Sequence, residues 1–156
     1  LLSSTPVNLV VGEIPTRKCI LSRAGEHGHF YWEKRSINGD GVVTDHATGL
    51  MWHQNGSNKY VKWNKAKEWV RSLNSRGYAG HQDWRLPTVD EAVSLLESNK
   101  RTDLYIDPIF SNKQKWIWTG DRFGSEVAWD VSFIGGYVSW TNFHSGIYVR
   151  PVRSVR

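Results

Sequence analysis

Two segments of the chain repeat apolar residues with the period of an amphipathic helix. The first spans residues 63–76, and its apolar positions fall within one arc at about 100° per residue: Trp63, Ala66, Trp69, Val70 and Leu73. Gly77 follows and is expected to end this helix. The second spans 88–99, with its apolar positions at Val89, Ala92, Val93 and Leu96. Thr88 and Glu91 have the spacing of a capping box, which predicts that this helix begins at Thr88.

Other apolar residues alternate with polar ones, which is the pattern of half-buried strands. Residues 42–44 and 50–52 flank the turn-forming sequence DHATG and predict a β-hairpin. After Asp107 and Pro108, glycine-bearing turns separate four further predicted strands, at 116–118, 127–133, 138–140 and 147–152. The pattern therefore predicts an α+β domain in which two helices pack on a twisted antiparallel sheet.

The length of 156 residues suits a single domain, 1–156. In this interpretation, 1–39 is an N-terminal extension or supplies edge strands, and 40–153 forms the core. Most of the nine tryptophans are expected to be buried, and four are singled out by their apolar positions: Trp63, Trp69, Trp84 and Trp129. No apolar run approaches the roughly 20 residues that span a bilayer, and residues 1–11 lack the basic leader of a signal peptide.

Charge adds a candidate for binding, because the net charge of +5 is unevenly distributed. Six basic residues and one acidic residue, Glu68, lie between Lys59 and Arg76. Such a patch attracts polyanions. The first candidate surface is therefore the polar face of the first helix, with Lys62, Lys65, Lys67 and Arg71. The alternative for these residues is an ordinary solvated helix face.

Two further surfaces are candidates. One is basic and flanks the predicted strand at 116–118, with Lys113, Lys115 and Arg122. The other is the strand and turn at 137–147, where Tyr137, Trp140, Asn142 and His144 supply flat faces and hydrogen-bonding groups. Such side chains suit sugars and protein epitopes alike. The alternative is that they only complete the sheet and its turn.

Motifs for catalysis are absent from the sequence: there is no P-loop, G-x-S-x-G, H-E-x-x-H or C-x-x-C. The single cysteine, Cys19, excludes an intramolecular disulfide and is expected to act as a small apolar side chain. His27 and His29 are too few for a zinc site, and no calcium loop is present. We therefore expect neither an enzyme nor a bound metal or cofactor. No nucleic-acid-binding module is found, so nucleic acid is not an expected partner.

Several motifs occur in an order that resembles a known family. They are TGLMW at 48–52, the helix at 63–76, DWRLPT at 83–88, the tryptophan pair at 116–118, AWDVSF at 128–133 and YVRPVR at 148–153. Over residues 40–153 this order is similar to the bacterial Lcl C-terminal domain family, typified by the C-terminal domain of the Legionella collagen-like adhesin. In the last motif, Arg150 and Arg153 are expected to pair with carboxylates.

The resemblance implies a C-type-lectin-like fold that binds a ligand. It also implies sulfated glycosaminoglycans as ligands and a homo-oligomer, a trimer, as the assembly. The paired cysteines of formylglycine-generating enzymes and the calcium motifs of animal C-type lectins, both of the same fold, are missing here. We therefore predict a non-catalytic, calcium-independent, adhesin-like domain that recognises an acidic or sulfated glycan, in an extracellular or cell-surface location on a bacterium. The alternative is a protein–protein recognition or sensor module of a larger chain.

Overall fold

The computed structural model describes residues 18–21, 30–33 and 35–155. The strands are β1 (Lys18–Leu21), β2 (Phe30–Glu33), β3 (Arg35–Ile37), β4 (Val42–Asp45), β5 (Leu50–His53), β6 (Trp116–Arg122), β7 (Val127–Ser132), β8 (Tyr137–Asn142) and β9 (Val152–Ser154). The helices are α1 (Trp63–Ser75) and α2 (Val89–Val93), and a short 3-10 turn covers Tyr78–Gly80. These elements confirm the α+β class.

All strand pairs are antiparallel, but the strands do not form the one sheet that the sequence predicts. The strands β3, β4, β5 and β9 form one sheet, β6, β7 and β8 form another, and β1 and β2 form a two-stranded sheet. The predicted hairpin is confirmed, since Val43 pairs with Trp52 and Gly49 adopts a φ of +72° in its turn. The prediction of a fourth C-terminal strand at 147–152 is wrong. Ile147 and Tyr148 form isolated bridges, and Val152 begins β9 beside β5.

The two sheets contribute to two apolar clusters, and each cluster contains one helix. Val42 contacts the cluster of α1, whereas its neighbour Val43 contacts the cluster of α2. In β6, Trp118 likewise belongs to the cluster of α1 and Ile117 to the cluster of α2. Because successive strand residues point to opposite faces, α1 and α2 cover opposite sides of the sheets. The tryptophan expectation is consistent with this packing: Trp63 and Trp84 are buried, and Trp69 and Trp129 are half-buried.

Helix α2 is shorter than the sequence predicts. Its start is as expected, because the Thr88 hydroxyl accepts from the Glu91 amide at 3.1 Å and the Glu91 carboxylate accepts from the Thr88 amide at 2.9 Å. The helix ends where the Ser94 hydroxyl donates to the Glu91 carbonyl at 2.6 Å, a local bond that competes with helix propagation. Leu95, which follows the helix, is buried, whereas Val93 of the predicted apolar face is 37% exposed.

Arg150 and Arg153 have different environments. Arg153 pairs with the Asp83 carboxylate at 2.6 Å, as predicted. For Arg150 the prediction is wrong: its fully buried guanidinium donates to neutral oxygens, namely the carbonyls of His53, Gln54 and Ser111 and the side-chain Oε1 of Gln114. Burial lowers the pKa of Arg150 to about 9, so it remains charged at neutral pH. Because carbonyl dipoles surround this cation, no carboxylate is needed to hold it.

We expect Arg150→Lys to cost far more stability than Arg153→Lys. A lysine cannot reproduce the planar fork, so buried carbonyls lose donors and the cation loses partners, at a cost of about 3 kcal/mol. Arg153→Lys keeps a charge beside the exposed Asp83 and should cost about 1 kcal/mol. Urea unfolding of both variants measures the difference, and equal losses would contradict the account of Arg150.

His53 introduces a pH dependence. Its ring stacks on Tyr78 with centroids 4.4 Å apart, and its Nδ1 accepts from the Gly56 amide at 2.9 Å. Burial, reinforced by the charges of Arg150 and Arg76, lowers the pKa of His53 from 6.5 to about 4. The unfolded chain therefore binds a proton at a higher pH than the folded chain does. Stability from the neutral ring is present above pH 6.5 and is lost as pH falls from 6.5 towards 4.

Between pH 7.5 and pH 5, this group should lower the free energy of unfolding by about 2 kcal/mol. His53→Asn keeps an acceptor near the Gly56 amide but has no titrating ring. We expect the variant to be less stable at pH 7.5 and to lose about 2 kcal/mol less than wild type on acidification. Urea unfolding at the two pH values tests this, and parallel losses in both proteins would show that His53 is not responsible.

Candidate functional site

A cavity of about 600 Å³ combines lysines with aromatic rings. We call it the lysine–aromatic groove, and its principal lining residues are Tyr60, Asp103, Lys113, Lys115, Trp116 and Tyr148. Two of the lysines predicted from the sequence, Lys113 and Lys115, thus lie in one cavity. The aromatic residues beside them were not identified as site residues from the sequence.

The side chain between the two lysines explains their orientation. Gln114 is 1% exposed; its amide nitrogen donates to the Ser57 carbonyl at 2.7 Å and its oxygen accepts from Arg150 at 3.1 Å. The Lys115 amide donates to the Lys113 carbonyl at 2.9 Å, so the chain turns tightly at Gln114, and Lys113 and Lys115 are both exposed. The main chain is held as well, since the Phe133 amide donates to the Lys115 carbonyl at 2.8 Å. Two positive charges therefore face the groove without being buried.

The aromatic part of the groove comes from three separate segments. Tyr60 packs edge-to-face on Tyr148, with ring centroids 5.8 Å apart, and is itself 64% exposed. Its position depends on Gly146, where a Cβ atom would lie 2.4 Å from a Tyr60 ring carbon. Tyr148 bridges to Ile117, the neighbour of Trp116. The groove thus offers flat apolar rings next to the two lysines.

A second cavity, of about 290 Å³, shares Trp116 with the groove. We call it the hydroxyl pocket; its lining includes Trp116, Asp130, Ser132, Tyr137, Ser139 and Thr141. Asp130 pairs with Ser139 in the register of β7 and β8, so these polar side chains share one sheet face. Burial raises the pKa of Asp130, and the hydrogen bond from the Thr141 hydroxyl at 2.7 Å opposes that rise.

On the polar face of α1, the basic residues are divided among different contacts. Lys65 lies 3.3 Å from Glu68, and the Lys67 ammonium lies 4.1 Å from the centre of the Trp63 ring. Lys67 and Arg71 line a third cavity of about 360 Å³ beside Trp84 and Leu86. Lys62 is exposed outside these three cavities.

Arg122 lies apart from Lys113 and Lys115, with which the sequence grouped it. Trp63 stacks on Phe143 with centroids 4.4 Å apart, and the Arg122 guanidinium lies 5.8 Å from the Phe143 ring. Lys67 also contacts Trp63. Arg122 is therefore connected to the α1 face through two stacked rings, and does not line the lysine–aromatic groove.

The structure does not bring the four residues of 137–147 to one surface. Tyr137 lines the hydroxyl pocket, whereas Trp140 lies on the opposite face of β8 with Phe123 and Trp129, at centroid distances of 5.3 and 5.8 Å. Asn142 accepts from the His144 amide at 2.8 Å and so shapes the turn. The His144 ring lies 3.8 Å from the Glu126 carboxylate.

Several sequence expectations concern residues outside the described part. His27, His29 and the side chain of Cys19 lie there. Within 35–155, no group of three or more histidine, cysteine, aspartate or glutamate side chains is placed to hold a metal ion. None of the helices in the described ranges has the length and apolar character needed to cross a membrane.

Comparison with known families agrees with the order of motifs in the sequence. A search of curated proteins found no match to this chain. The family model of the Lcl C-terminal domain matches residues 41–153, which include both helices, the lysine–aromatic groove and the hydroxyl pocket. The match confirms the resemblance and covers most of the chain. The chain therefore belongs to the Lcl C-terminal domain family.

Proposed function

We propose that this chain is a non-catalytic, adhesin-type domain that binds an acidic or sulfated glycan in the lysine–aromatic groove. Family membership supports the adhesin-type role and, with it, a surface or extracellular location on a bacterium. A C-type-lectin-like fold is part of the same proposal, supported by the α+β architecture and the family. Calcium independence is also proposed, because the sequence lacks the calcium motifs of animal C-type lectins.

The observation that carries the proposal is the meeting of Lys113 and Lys115 with Tyr60, Trp116 and Tyr148 in one open groove. A saccharide ring has an apolar face that packs on an aromatic ring, while its sulfate or carboxylate group is attracted to an ammonium group. Each exposed ion pair contributes about 1 kcal/mol or less. The aromatic contact supplies apolar burial that charge alone does not, so the combination favours an acidic sugar over a simple anion.

The α1 face is less suited to this role. Glu68 offsets the charge of Lys65, and Lys67 is already engaged with Trp63. The groove in contrast has exposed lysines on both sides of a buried, fixed residue, Gln114. Fixed positions reduce the conformational freedom lost on binding.

The alternative function, protein–protein recognition or a sensor role, is favoured by a different surface. Phe123, Trp129 and Trp140 form an aromatic cluster in which Phe123 is 49% and Trp140 is 55% exposed. Aromatic side chains are enriched at protein interfaces. Self-association as a trimer, implied by the family resemblance, would be one such interaction, and native mass spectrometry measures it directly.

The glycan proposal predicts that charge reversal matters more in the groove than on α1. We compare two double variants that change the net charge by the same amount. The groove variant carries Lys113→Glu and Lys115→Glu, and the α1 variant carries Lys65→Glu and Arg71→Glu. Binding to immobilised heparin, measured by surface plasmon resonance at about 0.05 M and 0.3 M salt with EDTA present, should be weakened sharply by salt. The groove variant should lose about tenfold or more in affinity, and the α1 variant about threefold or less.

Circular dichroism and thermal melting serve as the folding control for both variants. If the α1 variant loses more affinity than the groove variant, the binding site is the α1 face. If wild type does not bind heparin at low salt, or binds it only without EDTA, the calcium-independent glycan proposal fails. Protein recognition then becomes the leading function.

A further inference from the structure

Asp130 is a buried carboxylate with little to balance it. The residue is 3% exposed. Over the described range 35–155, the Thr141 hydroxyl is the one donor to this carboxylate, and no arginine, lysine or histidine forms a salt bridge with it. The Thr141 bond uses Oδ2, so Oδ1 keeps its capacity to accept hydrogen bonds. Buried charges are normally paired with an opposite charge. A buried carboxylate that lines a cavity without such a partner is therefore unusual.

The lining of the hydroxyl pocket has a consistent chemistry. Ser132, Tyr137, Ser139 and Thr141 add hydroxyl groups around Asp130, and the lining contains no lysine or arginine. Tyr137 is positioned tightly, since a Cβ atom at Gly135 would lie 2.1 Å from a carbon of its ring. Hydroxyls both donate and accept, whereas the carboxylate only accepts. A ligand that fits this pocket must therefore bring donors.

Trp116 connects this pocket to the lysine–aromatic groove, because its side chain lines both cavities. A ligand that crosses Trp116 meets positive charge at Lys113 and Lys115 and a buried negative charge at Asp130. The lysine–aromatic groove thus favours an anionic group of the ligand, whereas the hydroxyl pocket favours hydrogen-bond donors. An ammonium group would also satisfy Asp130, but the neighbouring lysines repel a cation that approaches along this path.

We propose that the hydroxyl pocket binds an uncharged vicinal diol of the same saccharide whose anionic group lies at Lys113 and Lys115, and that it excludes a sulfated diol. This inference rests on the proposed function. Two neighbouring hydroxyls donate to the two oxygens of Asp130, or to Oδ1 and a serine hydroxyl, while the sugar ring lies against Trp116. A sulfate in the same place offers no donor and brings a second negative charge to a buried carboxylate. The preferred glycan is therefore partly sulfated, with free hydroxyl pairs next to its anionic groups.

Three forms of one polymer separate diol recognition from charge. Sparsely sulfated dextran keeps vicinal diols, the same material after periodate cleavage and borohydride reduction keeps its sulfates but loses those diols, and fully sulfated dextran has few free hydroxyls. For wild type, periodate treatment should lower the affinity about tenfold, the loss expected when a buried acceptor is left without its donor. Affinity per sulfate should also be lower for the fully sulfated polymer.

Asp130→Asn tests the role of the carboxylate, because asparagine keeps an acceptor for Thr141 but removes the charge. The variant should bind fully sulfated dextran more strongly than wild type does, and periodate treatment should change its affinity by about threefold or less. Asp90→Asn is the matched control: it makes the same charge change at an exposed residue outside both cavities, so it should keep the tenfold periodate effect.

The outcomes distinguish the two proposals. If wild type binds the sulfated dextrans but periodate treatment leaves its affinity unchanged, the diol inference is overturned and the glycan proposal stands. If wild type binds heparin but no sulfated dextran at low salt, the diol inference alone is overturned; if it binds neither, both are overturned. If Asp130→Asn shows the same periodate effect as wild type, Asp130 is not the acceptor and the inference is overturned. Wild-type binding before and after periodate treatment can be compared without any variant. The inference therefore remains testable even if Asp130→Asn does not fold.

Discussion

The guanidinium of Arg150 joins the end of β5, the loop before β6 and the C-terminal segment at a fully buried point. It donates to the carbonyls of His53 and Gln54, to that of Ser111, and to the side chain of Gln114. The candidate site depends on the last of these contacts. Gln114 is fixed inward, and its neighbours Lys113 and Lys115 are consequently exposed on the groove. Through Gln114, the buried Arg150 thus determines the positions of the exposed Lys113 and Lys115.

Two opposite electrostatic environments meet at Trp116. On one side are exposed lysines, whose individual contributions are small and sensitive to salt. On the other is the buried Asp130, whose charge is weakly screened and therefore acts strongly over short distances. In the proposed function, such a surface would select a glycan by the arrangement of its charges as well as by its net charge. In that role, the formal charge of +5 would attract polyanions, and the position of Asp130 would select among them.

Local features of the structure could be predicted from the sequence, whereas the features that assemble the site could not. The hairpin of β4 and β5, helix α1 and the Thr88 capping box each depend on residues a few positions apart, so periodicity and turn chemistry were sufficient. The end of α2 depends on a single serine hydroxyl. The pairing of β9 with β5 and the meeting of Tyr60 with Tyr148 join residues far apart in the chain. Trp140 was expected on one surface with Tyr137; its ring is exposed on the edge strand β8, but on the opposite face of the sheet.

The central claim is that the anionic ligand binds across Trp116, and the indole N–H signals of the protein in a ¹⁵N–¹H correlation spectrum test it most directly. A short sulfated oligosaccharide is titrated into labelled protein after each indole signal has been assigned by single Trp→Phe variants. The account predicts that the Trp116 signal shifts progressively and saturates, while the signals of Trp69 and Trp140, which lie outside both cavities, remain in place. Saturating shifts at Trp69 or Trp140 with an unchanged Trp116 signal would contradict it.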